Sequence, residues 1–100
     1  MITIYLAAHD TEPGSIETSE APLGEVINDI RQHWNEEPEG SQMFWLTDES
    51  GSILATMLRH QTDNERCITT YADGTVEVHQ CEYLFDEQGH YEATEVRKIA

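Results

Sequence analysis

Three short polar stretches, each closing on a glycine, divide the later part of this chain: Asp48-Glu49-Ser50-Gly51, Ala72-Asp73-Gly74 and Asp86-Glu87-Gln88-Gly89. Glycine takes the left-handed backbone conformation that tight hairpin turns require. The runs between them are rich in β-branched and aromatic residues, so each stretch predicts a hairpin. The expected strands are Met43–Thr47 and Ser52–Leu58, Cys67–Tyr71 and Thr75–Gln80, then Glu82–Phe85 and Tyr91–Val96. The segment 59–65 reads as a polar connection.

The first forty residues differ in period. Ile2, Ile4 and Leu6 alternate with Thr3 and Tyr5, which predicts a strand over residues 1–8. Residues 9–19 are polar, contain Pro13-Gly14 and read as a loop. Leu23, Val26, Ile27, Ile30, His33 and Trp34 then recur at three- and four-residue spacing, the mark of an amphipathic helix. Ser19 is a candidate cap, Pro22 is tolerated in a first turn, and Pro38 with Gly40 ends the helix. The expected fold is α+β: one amphipathic helix packed on a mainly antiparallel, hairpin-rich sheet of about five to seven strands. It forms a single compact acidic domain over residues 1–100, with the position of the first strand left open.

Charge decides which partners are compatible with such a domain. Twenty Asp and Glu stand against five Lys and Arg, a formal net charge of −15. A field of that sign repels nucleic acid and anionic membranes and attracts basic protein surfaces. No basic stripe exists to bind nucleic acid directly, and no apolar run is long enough for a membrane span. The first residues lack the basic flank and cleavage site of a signal peptide. Two cysteines make no disulfide framework, so a cytoplasmic setting is expected.

No familiar catalytic signature is present, and neither an enzyme nor a cofactor is expected. One cluster bears on metal binding. If Ala72-Asp73-Gly74 forms a type I turn with a glycine bulge, Cys67 faces His79 and Ile68 faces Val78. Cys67, His79 and Cys81 then share one face, a remote candidate zinc set with His90 as a distant fourth ligand. A two-residue Asp73-Gly74 loop instead sends the cysteines to opposite faces. The first register is preferred because it gathers Ile68, Thr70, Val76 and Val78 on what reads as the core face. The acidic turns at 48–51 and 86–89 lack the ligand spacing of a calcium loop.

The remaining candidates are surfaces. Phe44 and Trp45 are adjacent in a strand, so one of them leaves the helix-covered face. Glu36, Glu37 and Glu39 crowd the C-terminal end of the helix, where the dipole disfavours negative charge. Asp48 and Glu49 add to the acidic candidates. Together Glu36, Glu37, Glu39, Trp45, Asp48 and Glu49 suggest an acidic protein-binding inhibitor that occupies a basic, nucleic-acid-binding surface of a target protein. Small phage anti-defence and toxin-immunity proteins share this size and charge balance, an analogy of class only. The expected partner is a basic protein, a nucleic-acid-handling enzyme or complex. The alternative is a non-catalytic interaction or assembly domain using an exposed sheet face or an edge strand, with a homodimer as one form.

Overall fold

The computed structural model of the protein describes residues 1–7, 16–32, 40–61 and 66–100. Its elements in chain order are β1 (Ile2–Ala7), β2 (Ile16–Ser19), α1 (Leu23–Gln32), β3 (Gly40–Thr47), β4 (Ile53–Gln61), β5 (Arg66–Tyr71), β6 (Val76–Phe85) and β7 (Tyr91–Lys98). The seven strands form one sheet in the order β2-β1-β3-β4-β5-β6-β7, antiparallel at every junction. One helix and a curled, half-barrel sheet make the fold α+β. The curl is visible in the helix itself. It starts four residues after β2, at one edge, yet touches β7 at the other. A helix of ten residues is about 15 Å long, whereas seven flat strands would span about 29 Å.

Helix α1 forms where the apolar spacing placed it, with Val26, Ile27 and Ile30 buried. Each such side chain contributes roughly 2 kcal/mol by leaving water. Glu25 in the first turn and Arg31 in the last suit the helix dipole. The start differs from expectation. Ser19 Oγ accepts the amide of Ala21 at 3.1 Å, a turn that precedes the helix. The Pro22 carbonyl accepts the amides of Glu25 and Val26 at 3.0 and 3.1 Å, so Pro22 occupies the cap position. His33, Trp34, Glu36, Glu37 and Glu39 lie outside the described residues.

The sheet corrects the sequence reading in four places. Residues 16–19, expected within a loop, form edge strand β2, with Ile2 opposite Ser19 and Ile4 opposite Glu17. Polar composition concealed a short strand whose β-branched Ile16 and Thr18 suit it. β4 runs on to Gln61, so Arg59 belongs to a strand and is fully buried instead of opening a connection. Val76–Phe85 is one continuous strand, not two. The fourth correction concerns which face is inside. The turn at 72–74 has the glycine-bulge geometry: Gly74 has φ +89°, the Tyr71 amide donates to the Thr75 carbonyl at 2.8 Å, and Cys67 faces His79. The inward residues are nevertheless Cys67, Thr69, His79 and Cys81, while Val76 is 52% exposed and Ile68 and Val78 are half-buried outside. β4 sets this phase. Its inward Met57 and Arg59 pair with Thr69 and Cys67, and a period of two carries the same face on to β6.

The concave side therefore has two halves. Ile2, Phe44, Leu46, Ala55 and Met57 pack with the helix into an apolar core. Toward β5, β6 and β7 the same face turns polar, with Arg59, Thr69 and His79 buried among the two cysteines.

Candidate partner-binding surfaces

The buried polar row is the most constrained chemistry in the molecule. Arg31 reaches down from the last helical turn, its Nη2 donating to Thr69 Oγ1 at 3.1 Å and lying 3.6 Å from Glu77. Lys98 Nζ approaches the other Glu77 oxygen at 3.2 Å. The Tyr71 hydroxyl donates to the same carboxylate, and this bond, with Lys98, holds Glu77 below the usual carboxylate range. Burial, with the Glu77 bond, pushes the Tyr71 hydroxyl up. Burial also pulls His79 below its ordinary value, and the neighbouring Arg31 charge adds to this. Arg59 Nη1 donates to the Ile30 carbonyl at 3.2 Å, and its guanidinium lies 5.7 Å from the Tyr83 ring centroid. This network ties the helix's C-terminal turn to the sheet.

Cys67, His79 and Cys81 do share a face, and Cys67 and His79 are cross-strand partners. The Cys81 thiol, however, donates to the Arg31 carbonyl at 3.3 Å. Among the described residues no three His, Cys, Asp or Glu side chains converge to hold a metal ion. His90 stands on the far hairpin, exposed, with Nδ1 3.4 Å from Asp86.

Asp48 and Glu49 sit on the β3–β4 turn, where Gly51 takes φ +85°. Asp48 Oδ1 accepts the Ser50 hydroxyl at 2.6 Å and the Ser50 and Ser52 amides at 2.9 and 3.0 Å. These bonds, led by the Ser50 hydroxyl, lower the Asp48 pKa. Asp48 therefore builds the turn. Glu49 pairs with the Met1 amine at 3.0 Å, which raises the pKa of that amine. Beside them lies an open depression of about 530 Å³, floored by Ile2, Leu23 and Leu54. Trp45 does not line it. Phe44 is buried under the helix and Trp45 is the aromatic turned to the outer face, half-buried.

The sequence predicts the β6–β7 hairpin, with strands Glu82–Phe85 and Tyr91–Val96, but places no candidate site on it. Among the described residues, 76–80 of β6 pair with β5, whereas 82–85 pair with β7 alone. From Glu82 to Glu95 the hairpin extends past the other described strands. That stretch holds Glu82, Asp86, Glu87, Glu92 and Glu95 and no Lys or Arg. Phe85 and Tyr91 are cross-strand partners, 49% and 36% exposed, with ring centroids 6.3 Å apart edge to face. Tyr83 meets Tyr91 at the same distance. The arm is stiffened at its tip: Asp86 Oδ1 accepts the amides of Gln88 and His90, both at 2.8 Å. The sequence signal for it is the absence of any Lys or Arg from Glu82 to Glu95 around Tyr83, Phe85 and Tyr91.

Comparison with protein-family models, with characterised proteins and with solved structures finds no match to this chain.

Proposed function

We propose that this protein is an acidic protein-binding inhibitor, of the phage anti-defence or toxin-immunity type, that occupies a basic, nucleic-acid-binding surface of a target protein. The observation that carries the reading is the extended hairpin. It brings five carboxylates and no Lys or Arg together with exposed Phe85 and Tyr91. Arg and Lys on a target pair strongly with carboxylates, and an exposed aromatic supplies the anchor that charge alone lacks. The rest of the −15 field speeds encounter with a basic surface. In this reading the anchor moves from Trp45 to the Phe85–Tyr91 pair, and the contribution of Glu49 is reduced by its Met1 partner.

The test is capture of partners from the native host, or the host it attacks, with elution along a rising salt gradient. A nuclease, helicase or nucleic-acid-guided complex released at moderate salt is the expected result. Phe85→Ala with Tyr91→Ala should weaken that capture at least tenfold, since aromatic anchors carry roughly 2 kcal/mol or more. Reversal of Glu87 and Glu92 to Lys should weaken it further and flatten its salt dependence. Capture indifferent to both sets of changes overturns the reading.

A second reading, an assembly domain, is favoured by one observation. Two adjacent rows on the outer sheet face, including Trp45, carry no charged residue.

A further inference from the structure

The cross-strand registers define those rows. One runs Tyr5, Trp45, Thr56, Thr70, Val76; the next runs Met43, Leu58, Ile68, Val78. All alternate with the buried residues of their strands, so they face away from the helix. Tyr5, Met43 and Val76 are 39%, 36% and 52% exposed, Thr70 is exposed, and the others are half-buried. None of the nine is charged in a chain with 25% charged residues. No described element covers them. A solvated antiparallel face ordinarily alternates to polar residues, so rows of this kind belong to a contact.

We propose that this face binds a second copy of the chain, sheet against sheet and turned end for end. The inference rests on the second reading above and names its occupant. Charge selects that occupant. Beside the second row, Arg66, Gln80 and Arg97 stand in register, and both arginines are exposed. The two arginines locally disfavour a basic target, and Glu82 and Glu95 stand in the next row of the same face. At the opposite end of the same strands lie the acidic turns, with Asp48 and Asp73. On β5 and its turn, Arg66 lies three residues before Thr69 and Asp73 four after it. A two-fold axis running across the strands between the two rows sets β5 of one copy over β5 of the other in the reverse direction. Arg66 of each copy then meets the Asp73 turn of its mate, as an isologous contact requires. The acidic hairpins point away from each other past the ends of the pair, which leaves the arm of each copy open.

The area sets the affinity class. The outer side of the curled sheet is convex, so two copies meet along its crest. About three strands at about 4.8 Å spacing and six residues of about 3.4 Å give roughly 300 Å² per copy. The total, about 600 Å², lies below that of stable interfaces, so the dimer is weak and concentration-dependent.

Sedimentation velocity on the full chain, from micromolar to millimolar concentration, reads this directly. The expected result is a mass rising from 11.4 kDa toward twice that value, with the dimer favoured by salt because screening relieves repulsion between two strongly acidic chains. Leu58→Lys should raise the dimer Kd at least tenfold. Thr70→Lys should do the same at an exposed position where folding is not at stake. Arg66→Glu or Asp73→Arg alone should weaken the dimer several-fold, and the two together should restore it, while Asp73→Asn separates loss of charge from damage to the turn. A monomer at every concentration overturns the proposal, as does a dimer that both lysine variants leave intact. A monomer whose Trp45→Ala variant loses a salt-resistant heterologous partner keeps the second reading but removes the second copy from it.

Discussion

Arg59 shows how a single residue's environment departs from its sequence context. It stands in a polar stretch, between Leu58 and His60-Gln61-Thr62-Asp63, and yet none of its surface is exposed. Its Nη1 donates to the carbonyl of Ile30, in the last turn of the helix, where carbonyls lack intrahelical partners. Arg59→Ala should therefore lower stability in urea denaturation by about 3 kcal/mol, from lost packing and an orphaned carbonyl together. Arg59→Met, which refills the volume, should cost about half as much. Equal losses would show that packing is not part of Arg59's role. His79 makes a second prediction. Its pKa is lower in the folded chain, chiefly through burial, so the unfolded chain binds the proton more readily. Its contribution to stability is intact above the unfolded value of about 6.5 and is lost as pH falls from there through the folded value. His79→Asn should remove that part of the stability decline on acidification, read by thermal melts between about pH 7 and 5. Glu77, also held low, contributes its loss only below the ordinary carboxylate range.

At the scale of elements, the three hairpins rest on the same device, a glycine with φ between +84° and +89° at positions 51, 74 and 89. Gly24 is different. It lies in the helix, has no positive φ, and a Cβ added there meets nothing within 4 Å. Gly24→Ala should raise stability by about 0.5–1 kcal/mol. Gly89→Ala should lower it by about 1 kcal/mol or more, because alanine is strained at that φ. Calorimetric melts of the two variants should move in opposite directions, and movement in the same direction would contradict the backbone account. Turn glycines are also why so much of the sheet was legible. Gly74 suits either loop, and the sequence prefers the bulged one for a core face that the structure turns outward; the register itself, Cys67 against His79, is the observed one. β2 was not legible, because four residues with two β-branched side chains make no pattern without the neighbouring strand that pairs them.

For the whole molecule, the separation of charge is the organising fact. Three of the five Lys and Arg residues, Arg31, Arg59 and Lys98, face the interior row with Glu77 as its carboxylate. That leaves Arg66 and Arg97 on the outer face and most of the described acids exposed. The two proposed contacts consequently respond to salt with opposite sign. Docking of the acidic hairpin on a basic target weakens as ionic strength rises, whereas pairing of two chains of charge −15 strengthens. The same titration thus separates them without a variant.

Local pattern alone determined the hairpin turns, the one helix, its buried stripe of Val26, Ile27 and Ile30, and the acidic field. Each depends on residues within a few positions of one another, where periodicity and turn stereochemistry act directly. Only the tertiary structure decided which face of β5 and β6 lies inside, and it chose the polar one. Alternation divides a strand into two faces without ranking them when one holds Cys67, Thr69 and His79 and the other Ile68, Thr70 and Val78. Pairing of Arg59 with Cys67, set by β4 and capped by the helix end, broke that tie. The extension of the last hairpin arose likewise, since among the described residues β5 has six and the neighbouring β6 ten. Strand length is a difference between neighbours, so no single stretch of sequence carries it.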